Sequence, residues 1–185
     1  MTCIIALREK GRVHIGGDSH LGDDWLPRVT LNPKVFRVGD FVIGFTDSVR
    51  MGQLLQYHLE VEPQGDEPNM AYIVRVFVEG VRQCFRDFGF AKVQHEQDEG
   101  GLFLVGYRGR IYEVHRNFQV EEYEGDFWAC GCGAKQALVA MHLLENLQPV
   151  ARIRSSLAAV ARYSIGVRGP FHVVSLEAGP GAGGE

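Results

Sequence analysis

The 185-residue sequence predicts an α+β fold in which two antiparallel sheets face each other and a helix pair covers each outer face, a four-layer αββα sandwich. Three observations point there. Apolar runs with strand character cluster in two groups separated by amphipathic helical stretches, in the order strands, two helices, strands, two helices, strand. Strands and helices do not alternate one for one, which argues against a parallel βαβ fold. Short turn signals join successive strands, which only antiparallel neighbours allow.

Residues 2–7 are β-branched and apolar, residues 12–17 form a second such run, and Glu9-Lys10-Gly11 between them reads as a hairpin turn. The polar, glycine-containing stretch 18–32 reads as a loop. Runs 35–38 and 41–45 flank Gly39-Asp40, a two-residue turn signal, and form the next strand pair. Met51, Leu54, Leu55 and Leu59 then share one helical face, with Ser48 placed to cap the helix. Residues 61–69 hold two prolines, a glycine and three acids and read as a loop. Ile73, Phe77, Val81, Phe85 and Phe88 mark a long amphipathic helix that stops near Gly89.

The second group of strands is expected at 101–107, 110–115, 118–123 and 127–131, followed by helices at 134–147 and 150–165 and a last strand at 171–176. The sequence thus predicts one domain over 1–176 and a flexible Gly/Pro-rich tail over 177–185.

Composition narrows the function. A net charge of −4 and a pI of about 6.0 give no basic surface for nucleic acid or an anionic membrane. No stretch reaches the roughly 18–20 apolar residues of a spanning helix, and the N-terminus lacks a basic region before its short apolar run. Cys3, Cys84, Cys130 and Cys132 form no disulfide framework, so the expected location is the reducing cytoplasm. Cys130-Gly131-Cys132 has no second pair nearby and reads as structural, and neither metal nor cofactor is expected. Gly131-Cys132-Gly133-Ala134-Lys135 lacks the spacing and hydroxyl of a phosphate loop, and there is no zinc helix or G-x-S-x-G elbow. His142 and His172 read as packing or surface residues.

The start of the chain remains. If Met1 is removed, Thr2 carries its hydroxyl beside a free α-amine whose ordinary pKa is roughly 7.7–8.0. Nucleophile and base then share one residue, a recognised way to activate threonine. Around it run Thr2-Cys3-Ile4-Ile5-Ala6-Leu7, then Gly11-Arg12-Val13-His14-Ile15-Gly16-Gly17-Asp18-Ser19, Asn32-Pro33-Lys34-Val35 and Val42-Ile43-Gly44-Phe45. Together these segments resemble the opening of proteasome β subunits, and more closely the bacterial HslV-type peptidases, of the N-terminal-nucleophile (Ntn) hydrolase family. In that family the nucleophilic threonine is followed sixteen residues later by an aspartate and thirty-two later by a lysine. Thr2, Asp18 and Lys34 keep both intervals. The resemblance is dense over the first 45 residues and sparse from there to about Leu176.

The resemblance implies a threonine-type endopeptidase of the Ntn fold. Thr2 would be the nucleophile, Lys34 would favour its alkoxide, and Asp18 would compensate and position Lys34. Gly44 matches the glycine whose amide holds the oxyanion. Val42 matches a position shaping the pocket for the residue before the cut, which implies apolar preference. Cys132, within Gly131-Cys132-Gly133, stands where the family has a serine near the threonine amine. Ser164, in Tyr163-Ser164, matches a serine that the family precedes with an aspartate, where this chain has Ala161. Implied partners are peptide or unfolded-protein substrates, further copies of the chain in a ring or helical assembly, and an ATP-dependent unfoldase. Two other classes stay open: a non-catalytic shell or scaffold subunit of the same fold, and an Ntn amidase for a small acylated molecule.

Overall fold

The computed structural model describes residues 1–22, 26, 28–90, 92–94 and 97–177, with the backbone alone at 92–94 and 97–99. Strands β1 (Cys3–Glu9) and β2 (Arg12–Gly17) are joined by Lys10 and Gly11, both at positive φ. The stretch read as a loop carries a short pair, β3 (His20–Leu21) and β4 (Arg28–Val29), whose register sets His20 opposite Val29. β5 (Val35–Val38) and β6 (Phe41–Phe45) follow with the bounds expected from Gly39-Asp40.

Helix α1 (Val49–Tyr57) is capped by Ser48, whose hydroxyl accepts from the Met51 amide. The next helix starts earlier than expected, because the extended backbone of Pro68 lets the chain turn helical at once. α2 (Asn69–Tyr72) runs through a π-helical turn (Ile73–Phe77) into α3 (Val78–Asp87). β7 (Lys92–Gln94) and β8 (Gln97–Glu99) form a hairpin that no sequence signal announced.

β9 (Phe103–Tyr107) and β10 (Arg110–Val114) come next. β11 (Val120–Glu122) is shorter than the run 118–123, since Phe118 sits in a turn at positive φ. β12 (Phe127–Gly131) leads into α4 (Ala134–Leu143), which ends before Leu147 because Leu143 and Leu147 find nothing to bury against. α5 (Pro149–Tyr163) and β13 (His172–Glu177) complete the order. Glu177 closes β13, and the rest of the expected tail, 178–185, lies outside the described residues.

Apart from the two-stranded pairs β3-β4 and β7-β8, the described strands form two larger antiparallel sheets in the orders β12-β1-β2-β13 and β11-β10-β9-β6-β5. Alternation along β1 decides where each residue packs. Cys3, Ile5 and Leu7 join a cluster with Ala137, Met141, Ile153 and Leu157 of α4 and α5. Ile4 and Ala6 point the other way, into a cluster with Val35, Val42 and Leu104 of the second sheet. On that sheet Phe41, Ile43 and Phe45 pack outward against Met51, Leu54, Ile73 and Phe77. Each fully buried aliphatic or aromatic side chain contributes about 1.5–3 kcal/mol, so a one-residue slip of β1 would exchange two cores at once.

Candidate active site

Three of the sequence-predicted residues meet where β1 begins, β2 ends and β5 begins. Lys34, just before β5, places Nζ 2.7 Å from Thr2 Oγ1. The same ammonium lies 3.2 Å from each Asp18 oxygen. Asp18 follows β2, and its carboxylate also accepts from the Cys3 amide at 2.9 Å and the His20 amide at 2.7 Å. Lys34 is 4% exposed and Asp18 0%, so the pair is desolvated, and such a pair persists only when its remaining donors and acceptors are satisfied. Burial holds the Lys34 pKa below the ordinary lysine value, while Asp18 acts in the opposite direction. Burial foremost, then Asp18, pushes the neighbouring Cys3 thiol up.

Met1 is present, and its carbonyl accepts from both the Thr2 hydroxyl and, at 3.3 Å, Lys34 Nζ. Cys132 completes the cluster: its thiol accepts from the Thr2 amide at 3.4 Å and donates to the Thr2 carbonyl at 3.3 Å. This contact requires Gly131, which has a φ of +93° and approaches the Thr2 carbonyl so closely that a Cβ would overlap it.

Gly44 is set differently from the expectation. Phe45 donates to the Lys34 carbonyl toward β5, and Thr46 donates to the Leu102 carbonyl toward β9. Amides alternate along a strand, so Gly44, opposite Leu104, points its N–H into the β9 ladder as Thr46 does. Its missing side chain instead leaves room for Ile4 and Ile15 between the sheets. Val42 is likewise fully buried between the sheets beside Val13 and does not line the recess next to Lys34. The recess next to Lys34 is lined instead by Asn32, Phe45, Val49, Gly52, Gln53 and Gln56. Ser164 ends α5 in extended conformation, half-buried, between exposed Tyr163 and Ile165, and is not brought into hydrogen-bonding contact with Thr2.

Two residues that sequence reasoning missed adjoin the cluster. Gly166 lies where a Cβ would strike Met1 and the Cys132 sulfur, so the chain after α5 closes over the N-terminus. His20 is 2% exposed, and neither of its ring nitrogens has a hydrogen-bond partner among the described residues. Burial, then Lys34, lowers its pKa from the ordinary histidine value, against the opposing pull of Asp18. A signal for His20 was available in its position two residues after Asp18, the spacing at which a carboxylate caps a following amide.

No family model matches the chain, and no curated protein does. Solved structures match over nearly its full length. BPH of Thiobacillus denitrificans has a TM-score of 0.79 at 22% identity, covering 97% of this chain and 100% of that one. The structure of that protein in complex with epoxomicin matches equally. Eukaryotic HslV from Trypanosoma brucei has a TM-score of 0.67 at 18% identity, covering 95% of this chain and 99% of that one. A Gly-1 mutant of Anbu from Hyphomicrobium sp. strain MC1 has a TM-score of 0.66 at 17% identity, covering 96% and 82%. These are proteasome-like Ntn hydrolases, and the chain has the fold they share.

Proposed function

We propose that the chain is a proteasome-like threonine peptidase on a four-layer αββα Ntn-hydrolase scaffold, active once Met1 is removed. The observation that carries this reading is the Lys34 ammonium 2.7 Å from the Thr2 hydroxyl and gripped by both oxygens of a buried Asp18. With Met1 gone, the Thr2 amine takes the hydroxyl proton and Oγ1 attacks the substrate carbonyl. Lys34 stabilises the developing alkoxide, and its low dielectric surroundings strengthen that interaction. Asp18 holds Lys34 in place and makes no contact with substrate. Cys132 orients the Thr2 backbone, so that the amine faces its own hydroxyl. Collapse of the tetrahedral adduct breaks the C–N bond, the departing amine taking up the proton held by the Thr2 amine, and water activated by that amine then hydrolyses the ester to the free acid and restores Thr2. Gly44 takes no part as an oxyanion donor in this scheme, because its amide is engaged in the sheet.

The recess beside Lys34, walled by Phe45 and Val49 and bearing the neutral amides of Asn32, Gln53 and Gln56, receives the side chain preceding the cut and favours uncharged residues. Peptides or unfolded segments are the substrate class. Self-association into a ring or helical assembly, supplied by an ATP-driven unfoldase, belongs to the same reading, as does a cytoplasmic location. Among the described residues no helix is long and apolar enough to cross a membrane.

The test is intact mass spectrometry after incubation with epoxomicin, a peptide epoxyketone. The expected species lacks Met1 and carries one adduct, which disappears in Thr2→Ala. A chain that keeps Met1 and stays unmodified would overturn the proposal and leave a non-catalytic subunit of the same fold.

A further inference from the structure

Away from Thr2, the β10–β11 edge carries a second cluster of charge. Glu113 in β10 and Glu121 in β11 are direct cross-strand partners, an arrangement that repels when both are ionised. The Glu113 side chain is only 7% exposed, so solvent screens little of that repulsion. The donors around them are mostly neutral. The Tyr123 hydroxyl lies 2.5 Å from Glu113 Oε2 and 3.1 Å from Glu121 Oε2, but it has one proton for two oxygens. Trp128 Nε1–H donates to Glu113 Oε2 at 3.0 Å. The imidazole of His115 stands within reach of both carboxylates. Its Nε2 stands 3.8 Å from Glu113 Oε2 and 3.6 Å from Glu121 Oε2. That nitrogen is shielded from solvent and has no hydrogen-bond partner among the described residues.

We propose that Glu113, His115 and Glu121 form a binding site for a divalent transition-metal ion of the zinc class. The three ligand atoms lie within 4.8 Å of one another. Separations of 3.6 and 3.8 Å are too long for hydrogen bonds, whereas ligands bonded at about 2.1 Å to one tetrahedral ion stand roughly 3.4 Å apart. Shifts of a few tenths of an ångström would close both gaps, the two carboxylate ligand atoms start no more than 4.8 Å apart, and Nε2 would gain the partner it lacks. One imidazole with two carboxylates suits zinc and its neighbours. Magnesium, which prefers oxygen ligands and retains its waters, suits the set poorly. Three protein ligands leave a fourth position for water. Trp128 and Tyr123 already hold the carboxylates by hydrogen bonds, the support that metal-binding carboxylates need. Because Trp128 belongs to β12 of the other sheet, a bound ion would tie the two sheets together along this edge. None of these groups belongs to the Thr2 cluster, so the site stands independently of peptidase activity.

The test uses the full chain stripped with EDTA, then equilibrium dialysis against Zn²⁺ with metal quantified by atomic emission. Wild type is compared with His115→Ala and Glu121→Gln, whose parent side chains are 35% and 41% exposed and so tolerate replacement. Wild type should bind one equivalent more than either variant, or the same equivalent at least tenfold more tightly. Zn²⁺ should raise its Tm while leaving both variants unmoved, and Mg²⁺ should raise none. Equal zinc stoichiometry and affinity in all three proteins would overturn the proposal, as would a Tm response to Mg²⁺ matching that to Zn²⁺.

Discussion

Among the described residues, this fold buries two carboxylates and treats them in opposite ways. Asp18 is completely compensated: an ammonium sits against both oxygens, and two backbone amides donate to them. Glu113 receives a phenol and an indole N–H on one oxygen, faces a second carboxylate across the ladder, and has a histidine 3.8 Å away. A buried charge costs several kcal/mol unless it is well paired. The first arrangement is closed on itself and serves to fix Lys34 against Thr2. The second retains acceptor capacity directed at one point, which is the property of a ligand set rather than of a brace.

The largest test of that contrast removes the cation from the closed site. Lys34→Ala strands Asp18 without its partner, and breaking a buried pair in this way costs about 3–5 kcal/mol. Urea unfolding should show that loss, and peptide turnover should fall by at least about a thousandfold, as expected when a group acting on the nucleophile is removed. Near-wild-type turnover in a folded Lys34→Ala protein would break both the contrast and the proposed mechanism.

The second test removes charge from the open site. In metal-free protein, Glu113→Gln keeps an oxygen to accept from Tyr123 and Trp128 while ending the repulsion with Glu121. Stability should be unchanged or higher by up to about 1 kcal/mol, the scale of a cross-strand charge pair. A loss above about 2 kcal/mol in chemical denaturation would mean that Glu113 is as fully compensated as Asp18, and the distinction would vanish.

The two sites also differed in how far the sequence disclosed them. Thr2, Asp18 and Lys34 directly flank the ends of β1, β2 and β5, where period-two alternation and the turns at Lys10-Gly11 and Gly39-Asp40 set the register from local signals alone. Once that register is set, the three side chains converge. Gly44 and Val42 were misjudged because a motif states which residue follows which, whereas the direction of an amide or side chain depends on the ladder on both sides. β9, which takes up the Gly44 amide, lies some sixty residues away in sequence. Cys132 was legible from its flanking glycines, but Gly166 was not, because its role is defined only by the Met1 and Cys132 atoms it meets. The Glu113 cluster left no local trace. Its ligands sit at 113, 115 and 121 without a metal-binding spacing, and only the pairing of β10 with β11 sets them face to face.

The smallest expected effect concerns two histidines, His20 near Lys34 and His14 hydrogen-bonded to Ser175 at 2.7 Å. Burial foremost lowers both pKa values from the ordinary 6.5, with Lys34 assisting at His20 and Arg12 at His14, against Asp18 and Glu9 respectively. Between each lowered value and 6.5 the unfolded chain therefore binds more protons than the folded one, so stability rises with pH across that window. Their contribution is complete above 6.5, shrinks as pH falls below it, and levels off once the folded imidazoles are themselves protonated. His20→Phe keeps the backbone amide that serves Asp18 and removes one titrating ring. The variant should lose less Tm than wild type between pH 7.5 and 5.5, with His14 supplying part of the remainder. An undiminished loss in His20→Phe would mean that the ring takes up its proton without penalty. In that case burial would not set the Thr2 region apart from the Glu113 edge, and the contrast between the two sites would be reduced to Lys34 alone.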